Sequence, residues 1–320
     1  MVIDPQKALT FRASELLRTK VLRCLEPAEL CKETSIRAHS IQNKRILSQM
    51  TSHGHVVMIK LRPDYSQSNP VIDYTYVGRN VATTFTGLCS VHDSSIFRAI
   101  EGTEVDLTNQ EHLFLLCYRA VLREFHATLR AALLNQGLYL EKVDLGLTRG
   151  DIPTHDGLVA TWHLSNSYEF YQYKRLFDEL LLSRNFSQVQ HKLIVLQNAE
   201  PTIAVSSVVG YSGAAVNKED NERIILNVFP KGKNMYVLFS YHSKDEPYID
   251  FHISDSMMSE GYLQKYRISK YVLSCCENLV IHPTYFEKWP DEKKNIVKWF
   301  FMETIKRDLD DYENELLYLF

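Results

Sequence analysis

The chain lacks any run of eighteen apolar residues, and its first twenty, MVIDPQKALTFRASELLRTK, carry charge where a secretion signal needs an apolar centre. The sequence therefore predicts no membrane association and a cytoplasmic location. Cysteine is scarce, with six in 320 residues, at 24, 31, 89, 117, 275 and 276. That number excludes the disulfide framework of a small secreted domain, and it leaves the thiols as buried groups or metal ligands. No Gly-x-Gly-x-x-Gly, no Gly-Lys-Ser/Thr phosphate loop and no His-Glu-x-x-His occurs, so nucleotide-loop and metalloprotease chemistry have no support. Internal repeats and low-complexity tracts are absent as well.

What is present is an ordinary globular composition. With 45% hydrophobic and 23% charged residues, the chain is long enough to divide a large core between two units, expected at 1–150 and 151–320. The net charge of −3 hides an asymmetry: residues 1–150 hold 18 Lys+Arg against 15 Asp+Glu, and residues 151–320 hold 18 against 24. Within residues 1–62 the balance is 11 against 5, which favours an anionic partner for the N-terminal part.

Periodicity divides the chain further. Leu9, Ala13, Leu16, Leu17, Val21 and Leu25 recur at helical spacing and predict a helix from Pro5 to about Leu30. GHVVMIKLR at 54–62 reads as a strand, and Val71, Tyr74 and Tyr76 mark a second one after the turn-rich SQSNP. The strongest helix lies between Asn109 and Leu134. There Phe114, Leu115, Tyr118, Val121, Leu122, Phe125, Leu129 and Leu133 fill one arc, beside a polar stripe of His112, Arg119, Arg123, His126 and Arg130. A helix from Tyr168 to about Ser183 follows, with a helical piece near 186–196. Beyond Pro201, IAVSSVVGY, RIILNVF, NMYVLFSYH and YIDFHIS predict an antiparallel meander of about four strands. Helices are expected again at 259–280 and from Pro290 onward, giving an α+β fold with a helical and sheet-containing C-terminal half.

The segment TFTGLCSVHD at 84–93 brings Cys89 and His92 within one turn, the short spacing by which a single loop supplies two zinc ligands. CLEPAELC upstream offers Cys24 and Cys31, and IRAHSIQ offers His39. The four ligands are then Cys24, Cys31, Cys89 and His92, or Cys31, His39, Cys89 and His92 with Cys24 in the core. Against both stands the reading in which the thiols are small buried hydrophobes.

The order Cys…Cys, a His in Ala-His-Ser-Ile, then Cys-x-x-His-Asp resembles the zinc-stapled HNH, or His-Me finger, nucleases over residues 24–101. The resemblance implies a ββα unit bracketed by structural zinc ligands Cys24/Cys31 and Cys89/His92. It further implies His39 as general base and Asp93 as holder of a catalytic Mg2+ or Mn2+ for phosphodiester hydrolysis. Arg119, Arg123 and Arg130 would then contact nucleic-acid phosphates. The pattern departs from the family in its six-residue first spacing, its His as last ligand, and the nearly fifty residues between His39 and Cys89. A finger that kept its zinc without its chemistry is the companion expectation.

A second class of function is a non-enzymatic sensor or scaffold with a structural zinc, whose C-terminal part docks a protein partner or a second copy of the chain. Stand-alone bacterial defence or toxin proteins share this composition, an association no single residue carries. Three other strings have simpler readings. GYSGA at 210–214 approximates a nucleophile elbow but leads into a polar turn. Asp250, His252 and His242 share a strand face as polar residues facing water, and Tyr168, Phe170 and Tyr171 read as helix packing more than as a base-stacking surface.

Overall fold

The computed structural model describes residues 4–62, 71–211, 222–246, 253–254, 256–305, 307, 309 and 311–320. Helix and antiparallel sheet are mixed as an α+β fold. Two compact units emerge, one from residues 1–38, 85–96 and 121–185, the other from 39–84, 97–120 and 186–320. The expected halves 1–150 and 151–320 do not coincide with them. Strand pairing is non-local, and one sheet recruits strands from residues 55–78 and from 189–281.

The first unit is mainly helical. Helix α1, Pro5–Arg18, starts where Asp4 accepts the Gln6 amide at 2.9 Å and proline fills the first position. It ends at Thr19, short of the expected Leu30, because the chain turns extended there and Arg23 bridges back to Thr34. Helix α2, Ser90–Ile96, is short. The long helix α4, Gln110–Asp144, follows α3, Arg98–Glu101, and contributes its residues from Val121 onward to this unit. Helix α5, His155–Ser183, is capped by Thr154 and stopped by Arg184 in the left-handed conformation, so it begins thirteen residues before the expected Tyr168. Gly137 of α4 leaves room for Leu16: a β-carbon there would lie 2.9 Å from a Leu16 methyl.

The second unit is built on a seven-stranded antiparallel sheet, in which three strands of the expected meander, at 203–211, 222–231 and 234–242, follow one another; most of the fourth, YIDFHIS, lies outside the described residues. Its strands are β2 (His55–Arg62), β3 (Val71–Gly78), β5 (Val189–Leu196), β6 (Ile203–Tyr211), β7 (Glu222–Lys231), β8 (Asn234–His242) and β9 (Leu279–Ile281), in the order β3-β2-β9-β6-β7-β8-β5. A separate ladder joins β1, Arg37–His39, to β4, Thr84–Thr86. The expected helical piece at 186–196 is a 3₁₀ turn followed by β5, since Val189, Leu193, Ile194, Val195 and Leu196 pair with β8 residue by residue. Gly232, at φ +64°, makes the tight β7–β8 turn possible.

One sheet face packs Val57, Ile203, Leu226, Val237 and Phe239 against helices α6 (Gly261–Cys275), α7 (Pro283–Glu287) and α8 (Asp291–Thr304). On the other, the Cys117 thiol of α4 hydrogen-bonds Ser240, whose hydroxyl also meets His191 Nδ1 at 2.8 Å. No described helix is long and apolar enough to cross a membrane.

Candidate metal centre

Two backbone segments of the first unit carry four ligand side chains. Residues 22–35 form a loop closed by the Arg23–Thr34 bridge and by the Ser35 amide donating to the Leu22 carbonyl at 2.8 Å. Inside it, Glu26 folds back so that its carboxylate accepts the amides of Ala28 at 2.7 Å and Cys31 at 2.9 Å, and of Leu30 as well. Those bonds bring Cys31 round to Cys24 despite the six residues between them. Three amide donors outweigh the burial of Glu26 and hold its carboxyl below the usual range.

The second segment is laced to the first. Leu25 donates to the Gly87 carbonyl at 2.8 Å, Ile36 to that of Leu88 at 2.7 Å, and the Thr86 hydroxyl to that of Val21 at 2.7 Å. Cys89 then closes the start of α2, its carbonyl accepting the Asp93 amide at 2.9 Å, and His92 follows on the first turn. A β-carbon at Gly87 would stand 2.5 Å from the Phe85 ring, so a larger residue there would have to displace that ring.

The result is a Cys3His cluster of Cys24, Cys31, Cys89 and His92, whose ligand atoms all lie within 4.8 Å of one another. Tetrahedral zinc, with bonds of about 2.3 Å to sulfur and about 2.0 Å to nitrogen, sets ligand separations of about 3.8 Å for S···S and about 3.5 Å for S···N. The observed separations are 3.9 Å for Cys31–Cys89, 3.6 Å for Cys24 to His92 Nδ1 and 3.2 Å for Cys89 to His92 Nδ1. These residues can hold a metal ion. Of the two ligand sets the sequence allows, this is the one whose four atoms cluster.

The thiols of the cluster differ in how readily they ionise. Burial pushes the Cys24 thiol up to about 12. Cys89 is also buried, but hydrogen bonds from the backbone and ring of His92, and from Cys24 and Cys31, outweigh this and bring it down to about 7. One thiol of the cluster ionises readily and a neighbour resists; a divalent cation bound there would favour the thiolate form of each.

His39 ends β1 but belongs to the second unit, whereas Asp93, one residue past the last ligand, belongs to the first. The His39 ring is half-buried, with Nδ1 2.9 Å from the Ala82 carbonyl. Burial lowers its pKa, with the charges of Arg119 and Arg79 adding to that and the Ala82 bond and Glu101 opposing it.

The basic stripe on α4 is not one exposed ridge. Residues 113–122 are all buried, so that stretch of helix has no solvated face. Arg119, 3% exposed, pairs with Glu101 at 2.6 Å and lies over the Phe97 ring at 4.1 Å. His126 is equally enclosed. Arg123 pairs with Glu124 at 2.7 Å, and Arg130 is exposed, with one nitrogen 3.3 Å from the Leu17 carbonyl.

Tyr168 and Tyr171 sit together on α5, ring centres 6.4 Å apart, with Phe170 buried. His242 Nδ1 accepts the Lys244 amide at 3.2 Å. Asp250, His252 and residues 212–214 of GYSGA lie outside the described residues. Sequence reasoning passed over Glu26, whose signal was an acid followed by proline between two cysteines, and the Thr86–His126 bond of 3.0 Å, which has no sequence signature. No family model matches the chain, and no match arises among curated proteins or solved structures.

Proposed function

We propose that Cys24, Cys31, Cys89 and His92 hold a structural zinc ion, and that the chain is a zinc-stapled binding or scaffold protein. The observation that carries this reading is that four protein ligand atoms lie within 4.8 Å of one another, the full number a structural zinc takes, whereas a catalytic zinc keeps one position open for water. The metal's work is to lock the 22–35 loop to the start of α2, adding to the backbone hydrogen bonds that join the two segments. Elemental analysis of purified protein tests it: one zinc per chain is expected, lost in Cys89→Ser. Protein free of zinc, or zinc retained in that variant, overturns it.

A second reading keeps the resemblance to His-Me finger nucleases. What supports it is the state of His39: a carbonyl only accepts, so Nδ1 must donate to Ala82, and Nε2 is left with the lone pair that a general base needs. Its lowered pKa keeps the ring neutral at pH 7. The reading rests on His39 alone, with the divalent ion and the nucleic-acid contacts remaining what the resemblance implies. Magnesium- or manganese-dependent cutting of plasmid or RNA, abolished by His39→Ala with zinc content unchanged, is its signature. Absence of cutting, or cutting that survives the substitution, leaves the structural reading alone.

A further inference from the structure

A cavity of about 300 Å³ opens in the second unit, between residues 42–49 and the β7–β8 turn. Its apolar wall is Ile46, Val105, Phe229 and Pro230, and its cations are Lys44, Arg45 and Lys231. Lys231 is already committed: its amine donates to the Val105 carbonyl at 2.7 Å and stands 3.7 Å from Glu104, the one acid of the lining. Lys44 and Arg45 are different. Both are exposed, and neither has an ion pair with a described residue; Arg45 makes only a long 3.5 Å contact to the Gly102 carbonyl.

The walls are rigid. Phe229 is stacked on Tyr236 with ring centres 6.0 Å apart and is held by β7, a strand buried along its length. Residues 42–49 are tied down by amides returning to the Gln42 and Asn43 carbonyls, and by the Gln42 side chain donating to the Ile100 carbonyl at 2.6 Å. A preformed hollow of this size with an apolar wall and a few convergent polar groups is what small-molecule sites look like, and an excess of cations selects the charge of the occupant.

We propose that this cavity binds a small organic anion, its apolar body against Ile46, Val105, Phe229 and Pro230 and its charged group between Lys44 and Arg45. The volume suits a molecule of roughly mononucleotide size, and both a phosphomonoester and a carboxylate have the required chemistry.

Isothermal titration of the full chain with adenosine monophosphate, uridine monophosphate, indole-3-acetate and inorganic phosphate tests it. Saturable binding of at least one of the three organic anions is expected, weaker at high salt, and weakened about tenfold or more by the double substitution Lys44→Ala/Arg45→Ala. Which organic anion binds separates the phosphate source from the carboxylate source. Because both residues are exposed, the variant should keep its fold, which circular dichroism checks; Lys7→Ala, an exposed lysine of α1, serves as control and should leave binding unchanged. No saturable binding by any organic anion overturns the proposal. So does inorganic phosphate binding as tightly as the organic anions, which would mean that the apolar wall contributes nothing, or equal binding by the double variant.

Discussion

The backbone N–H of Cys89 donates to the sulfur of Cys24 across 3.2 Å, so the residue just ahead of α2 also polarises a ligand on the other segment. An amide aimed at a buried sulfur favours the thiolate, the form a metal needs. It offsets part of the burial that holds Cys24 up at about 12. Cys24→Ser should therefore remove the metal as fully as Cys89→Ser does. Since structural zinc contributes on the order of 10 kcal/mol in small fingers, a strong chelator should lower the thermal midpoint of the native chain and leave that of either variant unchanged. Identical midpoints with and without chelator in the native chain would count against a structural role.

Glu26 acts on the same centre through the backbone. Glu26→Ala removes the bonds from the amides of Ala28, Leu30 and Cys31; Ala28 and Leu30 are exposed, so water can replace the carboxylate there and each bond contributes about 1 kcal/mol. Metal affinity should fall about 10–100-fold, as it does when groups that orient a ligand are lost. Competition against a chromogenic chelator measures it, and unaltered affinity would show that the loop closes without the carboxylate.

Burial lowers the His126 pKa to about 4, with Arg130 and Arg123 adding to the effect. The folded chain thus binds fewer protons at this site than the unfolded chain between about pH 4 and about pH 6.5. The neutral ring costs nothing above that window, and stability is lost as pH falls through it, by up to about 3 kcal/mol. Denaturant midpoints of native protein and His126→Gln should converge as pH drops from 7 to 4. A constant gap would mean that the ring is protonated alike in both states.

On α5, Lys174 and Asp178 pair at 2.6 Å with side chains 1% and 4% exposed. Asp178→Ala leaves a buried ammonium without its carboxylate and should cost about 3–5 kcal/mol, whereas Lys174→Met/Asp178→Leu should come close to native stability. Chemical denaturation of the three proteins decides this, and a double variant as unstable as the single one would contradict it.

Arg119 tests the redrawn α4 stripe. Arg119→Ala removes the Glu101 pair and the contact over Phe97, so its expected effect is a loss of stability, on the order of 2 kcal/mol, whatever the chain binds. The exposed Arg130 is the arginine of the stripe whose loss should change nucleic-acid binding without changing stability, if such binding occurs.

The sequence by itself determined what local chemistry can determine. Spacing marked Cys31, Cys89 and His92 as candidate ligands, with Cys24 or His39 as the fourth, because short loops present paired donors. Short runs of β-branched and aromatic residues marked β2, β3, β6, β7 and β8, because such side chains favour the extended chain whichever faces are later buried. Tertiary structure decided the rest. Whether Cys24 or His39 joins the cluster depends on how Glu26 folds its loop, and a three-residue strand such as β9 has too little periodicity to be seen before β2 and β6 flank it. Helical spacing set Arg119 and Arg130 on one stripe, but whether a face meets solvent depends on what packs around it. Residues 113–122 are enclosed on every side, which turns Arg119 inward to Glu101 and leaves Arg130 facing water.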